Sequence, residues 1–303
     1  MRKANLQGSD TFSRVDLERS AYGQKQFLVN EADQTSLEQA EELSRAVETL
    51  RAFCGIVLLS FATHGQDLRD TVARNFVARG MGSTQSIYTV WKSGHEQDAW
   101  ILHRSLLDRL FHLHHLGATD EFEAFEEYSF ISMYKARQQL ISDPAMKDKV
   151  PSSLKELQEV SRQRYDTLAG KKPRWRRPKA EDIARSMDLG FLYRFGYDYA
   201  STHVHPMIDD GEADVAALIA APGAVQQPGS TVLKNSILVQ SLLVQEAFNV
   251  SGLKWRAIAY DFLGQIRAFV GIGNPGYQVT FLKIGRAWPE MELCEPMAGR
   301  KNT

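Results

Sequence analysis

The sequence predicts an all-α protein, a multi-helix bundle with a polar N-terminal arm and at most one short strand or hairpin near its C-terminus. Three observations carry that prediction. Apolar residues recur three and four apart over most of the chain, the period of a helix face. The segments that do so are long, and glycines, prolines and acidic first turns mark their ends. Only "YQVTFLKIG", from Tyr277 to Gly285, is short and β-branched enough to read as a strand. With 43% hydrophobic and 24% charged residues in 303, the chain can build a sizeable core. The expected organisation is a mobile or loosely docked polar arm over 1–35, one helical domain over 36–285 and a C-terminal tail over 286–303.

The arm is polar and mixed in charge, with no sustained apolar period, so it cannot bury enough surface to offset its ordering entropy. From Ser36, "SLEQAEELSRAVETLRAFCGIVLLSFAT" opens with a capping box between Ser36 and Gln39 and then keeps Leu43, Val47, Leu50, Phe53 and Val57 at helical spacing. A second helix, "DLRDTVARNFVARGMGSTQSIYTVWKSG", is expected to break or bend around Gly80 and Gly82 and to stop at Gly94. The third, "HEQDAWILHRSLLDRLFHLHHLG", is expected to stop at Gly117. The fourth begins with acids and ends with Lys135 and Arg137, the charge order a helix dipole favours. Residues 144–169 read as a further helix, "GKKPRWRRPK" as a loop and "AEDIARSMDLG" as a short helix. A helix over 191–205 is ended by Pro206, and two apolar helices run from Thr231 to Gly252 and from Lys254 to Gly271.

Composition also narrows the function classes. A formal net charge of −1 supplies no global field toward nucleic acid or anionic membrane, so any such affinity must be local. Cys54 and Cys294 are the only cysteines and form no CxxC pair, which fits a reducing compartment and packing roles. The apolar run Gly55–Ala62 is too short for a span of about 20 residues, and the N-terminus has no apolar signal core. The expectation is a cytoplasmic protein with no membrane partner. Phosphate-cradling glycine loops, GxSxG and dinucleotide fingerprints are absent from the sequence, and no cofactor is expected.

Polar residues at helical spacing supply the candidate site. Tyr193, Tyr197, Ser201 and His205 recur every four residues in "FLYRFGYDYASTHVHP" and form one polar ladder. Arg104 and Asp108 stand four apart on a helix otherwise rich in leucine, where an arginine needs a partner. The economical arrangement sets the two helices side by side, with Arg104 or Asp108 within hydrogen-bonding or one-water reach of Ser201 or His205. His203 and His205 are about 200° apart on a helix, so His203 is expected to point away and no metal site is expected. In the loop, Lys171, Lys172, Arg174, Arg176 and Arg177 surround Trp175, a mixture able to neutralise phosphates and stack a base, which makes RNA the candidate partner.

The segments "FVARGMGSTQSIYTVWKSGHEQDAWILHRSLLDRLFHLHHL" and "WRRPKAEDIARSMDLGFLYRFGYDYASTHVHP" together resemble a bacterial all-helical family labelled domain of unknown function 5677, over roughly residues 70 to 210. The resemblance implies a helical fold and a site at Arg104, Asp108, Tyr197, Ser201 and His205. Asp108 stands where the family pattern has a glutamate. A weaker similarity is to HEPN domains, helical modules of bacterial immunity and toxin systems, carried by Arg109 and His114 in "RLFHLH", with Leu110 in place of the usual polar residue. That similarity implies metal-independent RNA cleavage in a defence or toxin system and pairing into a homodimer. In such chemistry His205 is the base and Arg104 the stabiliser of phosphate charge, with Arg109 and His114 as the alternative pair. The competing expectation is a non-catalytic binding or regulatory module in which the ladder is a structural network.

Overall fold

The computed structural model describes residues 35–64, 67–146, 149–170, 175–205, 208, 211–219 and 228–293. Its helices are α1 (Leu37–His64), α2 (Leu68–Lys92), α3 (Glu96–Thr119), α4 (Phe122–Ser142), α5 (Ser152–Ala169), α6 (Ala180–Ser186), α7 (Gly190–Leu192), a π-helical turn (Tyr193–Asp198), α8 (Tyr199–Thr202), α9 (Glu212–Ile219), α10 (Thr231–Val250), α11 (Arg256–Ile272) and α12 (Tyr277–Leu293). The fold is all-α. Two compact units divide it: one holds the described residues up to Leu113 together with those from Ala180 onward, and the other spans His114–Lys179.

The first unit is built around α10. Sixteen of its residues are buried, including Val232, Ile237, Val239, Leu243 and Phe248, so this helix has no solvent face to speak of and closes the core. It packs against α1, α2 and α11. Phe53 of α1 meets Phe262 of α11 at 4.3 Å between ring centroids, and Trp255 stands edge-on to both Phe53 and Phe248. Hydrogen bonds latch the entry to α10: Trp91 Nε1 donates to the Gly229 carbonyl at 2.7 Å, and Thr35 Oγ1 to that of Pro228 at 2.6 Å. Among the described helices α1 is long and apolar enough to cross a membrane, by length and composition only, and 44% of its apolar window is buried.

Helix α2 runs unbroken through Gly80 and Gly82. Gly80 serves packing instead: a Cβ there would lie 2.5 Å from both Gln240 Oε1 and Leu243 Cδ2, so its absence lets α10 approach α2 closely. The strand expected at "YQVTFLKIG" is the start of α12, because Tyr277, Thr280 and Ile284 are buried at i, i+3 and i+7, which is a helix face. That helix continues to Leu293, so the tail expected from 286 begins later, and residues beyond it, Cys294 included, lie outside the described residues. So does the arm up to residue 34. Gly117 does not stop α3, which runs on to Thr119 and is followed by Asp120 with φ 56°. The helix read over 144–169 starts at Ser152, after Pro151.

The second unit is a hairpin of α4 and α5. Tyr134 and Tyr165 stack at 4.0 Å, and Arg164 lies over the Phe130 ring and pairs with Glu126. Trp175 closes this small core, edge-on to Phe125 at 5.0 Å and tilted against Tyr128 at 4.8 Å.

Candidate anion-binding site

Within the first unit, α3 and the α7–π–α8 segment meet along two rows of side chains. One row is aromatic: Trp100 stands edge-on to His103 at 5.3 Å and to Tyr199 at 5.0 Å, and Tyr199 stands edge-on to His203 at 4.9 Å. The other holds the charge. The Arg104 guanidinium lies over the Tyr197 ring, 4.8 Å from its centroid, and Nη2 donates to the Tyr197 hydroxyl across 3.4 Å. Tyr193 stacks on Tyr197 at 5.5 Å, and Phe111 supports the same ring from α3 at 6.4 Å.

Arg104 is partly buried, and among the described residues its Nε has no hydrogen-bond partner. Among the described residues no carboxylate pairs with it. Asp108, one turn on, instead bears electrostatically on Arg109 and gives its backbone carbonyl to His112 Nδ1 at 2.5 Å. The Arg104 cation is therefore held by an aromatic face, worth about 0.5–2 kcal/mol, and keeps donors unspent.

A wide turn sets this geometry. The π-helical stretch Tyr193–Asp198 carries Gly196 at its centre, buried against α3. A Cβ on Gly196 would stand 3.1 Å from Leu107 Cδ1 and 3.5 Å from His103 Nε2. His103 is fully buried, and its Nδ1 lies 2.9 Å from Ser236 Oγ. Ser236 already donates its proton to the Val232 carbonyl at 2.7 Å, so it accepts from Nδ1–H. Nε2 is thus the unprotonated nitrogen, and among the described residues it has no hydrogen-bond partner. Burial pushes the His103 pKa down to about 3, which keeps the ring neutral.

The residues expected from the sequence fall as follows. Arg104 meets the tyrosine row at Tyr197 and not at Ser201 or His205. Ser201 Oγ is spent on its own helix, donating to the Tyr197 carbonyl at 2.6 Å. His205 is exposed, and among the described residues no hydrogen bond or ion pair joins it to Arg104, Asp108 or Ser201. His203 does not turn away but packs on Tyr199, half-buried. Tyr193 has its pKa raised, first by burial and then by its hydrogen bond to Asp198 and the negative charge of Asp198 and Glu181. Arg109 is half-buried and donates to the carbonyl and, at 2.8 Å, to the hydroxyl of Ser105. Burial lowers its pKa, Arg79 adds to the shift and Asp108 opposes it. His114 lies in the second unit, about 140° round α3 from Arg109.

Lys171, Lys172 and Arg174 lie outside the described residues. Arg176 and Arg177 are exposed, as phosphate contacts require. Trp175 is only 2% exposed, so its rings serve the hairpin core and leave no face for a base. Among the described residues no three His, Cys, Asp or Glu side chains converge on a point where a metal ion could be held. Trp100, His103, Gly196, Tyr199 and Ser236 escaped the sequence reading. The i, i+3 spacing of Trp100 and His103 was a usable signal, but no spacing announces a π-turn.

Residues 70–216 match the model of a family of unknown function, DUF5677. Over that segment the chain is similar to this family. The DUF5677 region begins inside α2, takes in α3, the whole α4–α5 hairpin and the α7–π–α8 segment, and so contains both Arg104 and Tyr197. Ser236, which fixes the His103 tautomer, lies beyond it on α10. No curated protein and no solved structure matches the chain at a significant level.

Proposed function

We propose that the DUF5677 region is a helical binding module whose Arg104–Tyr197 pair takes a phosphodiester of single-stranded RNA. The observation that carries this reading is a partly buried arginine that lies on an aromatic ring and, among the described residues, has no carboxylate to neutralise it. A guanidinium so placed is oriented in advance, keeps donors for phosphate oxygens, and costs little further entropy on binding. Tyr193 and Tyr197 offer ring edges and hydroxyls beside it.

The HEPN-like ribonuclease reading asks for more. It needs a base at the phosphate, and its first candidate, His205, is exposed and among the described residues has no hydrogen bond to the Arg104 row. Binding is therefore the function the geometry supports best, and cleavage is a separate outcome of the same experiment.

Purified full-length protein is titrated with a fluorescent single-stranded RNA in excess chelator at several salt concentrations. Arg104→Ala should weaken binding about tenfold and make the salt dependence shallower by about one phosphate contact. Arg104→Lys should recover little, because an ammonium cannot lie flat on the ring and fork to phosphate. Unchanged affinity in Arg104→Ala would remove the site. Cleavage of the RNA under these conditions, lost in His205→Ala, would replace the binding reading with the ribonuclease one.

A further inference from the structure

We infer that the α4–α5 hairpin pairs with the hairpin of a second copy of this chain, α4 of one lying along α5 of the other in an antiparallel four-helix bundle.

Contacts between the two helices fix which side of each faces inward. Gln158 Nε2 donates to the Tyr134 carbonyl at 3.3 Å, Tyr134 stacks on Tyr165, and Arg164 lies over Phe130. Relative to that inward stripe, Met133, Ala136 and Leu140 stand about 60–120° round α4, and Leu157 and Val160 about 60–120° round α5 in the same sense. Because the helices run antiparallel, the same sense of displacement brings all five to one flank of the hairpin. All five are exposed, Met133 by 62% and Val160 by 81%. The opposite flank is an ordinary solvent face, where Arg162 lies between Glu159 and Asp166 at 3.9 and 4.0 Å. With Leu168 as its buried residue, α5 gains little from the hairpin core to hold its 18 residues helical. A partner on the apolar flank supplies the missing burial.

Charge and shape both favour a second copy as that partner. A surface that meets itself across a two-fold axis sets like charge near like, so it must be close to neutral. Ser129 and Ser153 extend the flank at its ends without adding charge, and Arg164 at its margin is spent on Phe130 and on its ion pair with Glu126. The same inward contacts set Met133 level with Val160 and Ala136 level with Leu157. A two-fold axis parallel to the helices then lays Leu157 of one copy over Ala136 of the other, large against small, and Val160 beside Met133. A flank about 25 Å long and about 20 Å wide covers roughly 1,000 Å² in total when paired, the area of a reversible dimer rather than an obligate one. At low micromolar concentration the hairpin is therefore uncovered.

Sedimentation of the full chain from about 1 to 500 μM tests this, with Val160→Glu and Met133→Lys as variants and melting temperature recorded for each. The unaltered protein should pass from monomer to dimer with a Kd of about 50–500 μM. Each variant should stay monomeric over the same range, with its melting temperature at low micromolar concentration unchanged, since both side chains are exposed. Mixed one to one, the two variants should associate again, because the introduced cation of one faces the introduced carboxylate of the other. An unaltered protein that is monomeric at every concentration would overturn the inference and leave the flank to another protein. Dimers that persist in both variants would place the interface elsewhere and overturn it as well. Monomeric variants that fail to associate when mixed would contradict the laying of α4 on α5. None of these outcomes depends on RNA, so the proposed function stands or falls separately.

Discussion

At the scale of single residues, the most informative group is one that carries no charge. His103 is fully buried with its pKa pushed down to about 3, while in the unfolded chain it titrates near 6.5. Above 6.5 neither state binds the proton. As pH falls from 6.5 toward 3 the unfolded state takes it up and the folded state does not, so stability is lost across that window at up to about 1.4 kcal/mol per pH unit. Urea unfolding from pH 7 to pH 4 should show this slope in the unaltered protein and a shallower one in His103→Asn. Equal slopes would show that the histidine does not stay neutral. Arg104, Tyr197, Ser201 and Asp108 were all legible in the sequence as polar residues at helical spacing, yet their pairing was not. Spacing along a helix says which residues share a face, but the hydroxyl of Ser201 was captured by its own helix and Asp108 was drawn to Arg109. His103 stayed hidden because a lone histidine on a leucine-rich face resembles any other core position.

At the scale of elements, glycine shows how far local rules reach. Gly80 and Gly82 sit two apart in α2, and the sequence treats them alike, as sites of a break. The helix ignores both, because packing against α10 outweighs a propensity cost of about 1 kcal/mol for each. Their environments then separate them. Gly82→Ala meets nothing within 4 Å and should stabilise by about 0.5–1 kcal/mol. Gly80→Ala drives a methyl against Gln240 and Leu243, both buried, and should destabilise by about 1–2 kcal/mol net. Thermal or urea unfolding of the two variants decides it, and shifts of one sign in both would contradict the packing role. The helix boundaries between α1 and α5 were legible to within a turn or so at most ends. The Tyr277 segment was misread as a strand because Val279 and Thr280 are β-branched, while the burial of Tyr277 and Ile284 that makes it a helix is a tertiary fact. The π-turn was beyond reach for a related reason: one extra residue per turn is stabilised by Gly196 meeting α3, a contact no local pattern encodes.

For the whole molecule, the two units differ in how much they bury. Helix α10 has sixteen buried residues, while α5 has Leu168 alone and leaves Val160 81% exposed. Amide protection follows buried contacts, so hydrogen exchange should be slowest in α10 and faster by orders of magnitude in α5. Protection in α5 matching that of α10 would mean that the hairpin is covered in solution. The sequence read this hairpin's basic end as an RNA-stacking loop, and the burial of Trp175 moves the aromatic part of that expectation onto Tyr193 and Tyr197 of the other unit. The most direct test of the account is where RNA lands. Isotope-labelled protein titrated with a short single-stranded RNA should show its largest signal changes at the Arg104 side chain and the Tyr197 ring, and these should vanish in Arg104→Ala. Changes confined to Arg176 and Arg177, with Arg104 and Tyr197 unmoved, would contradict it.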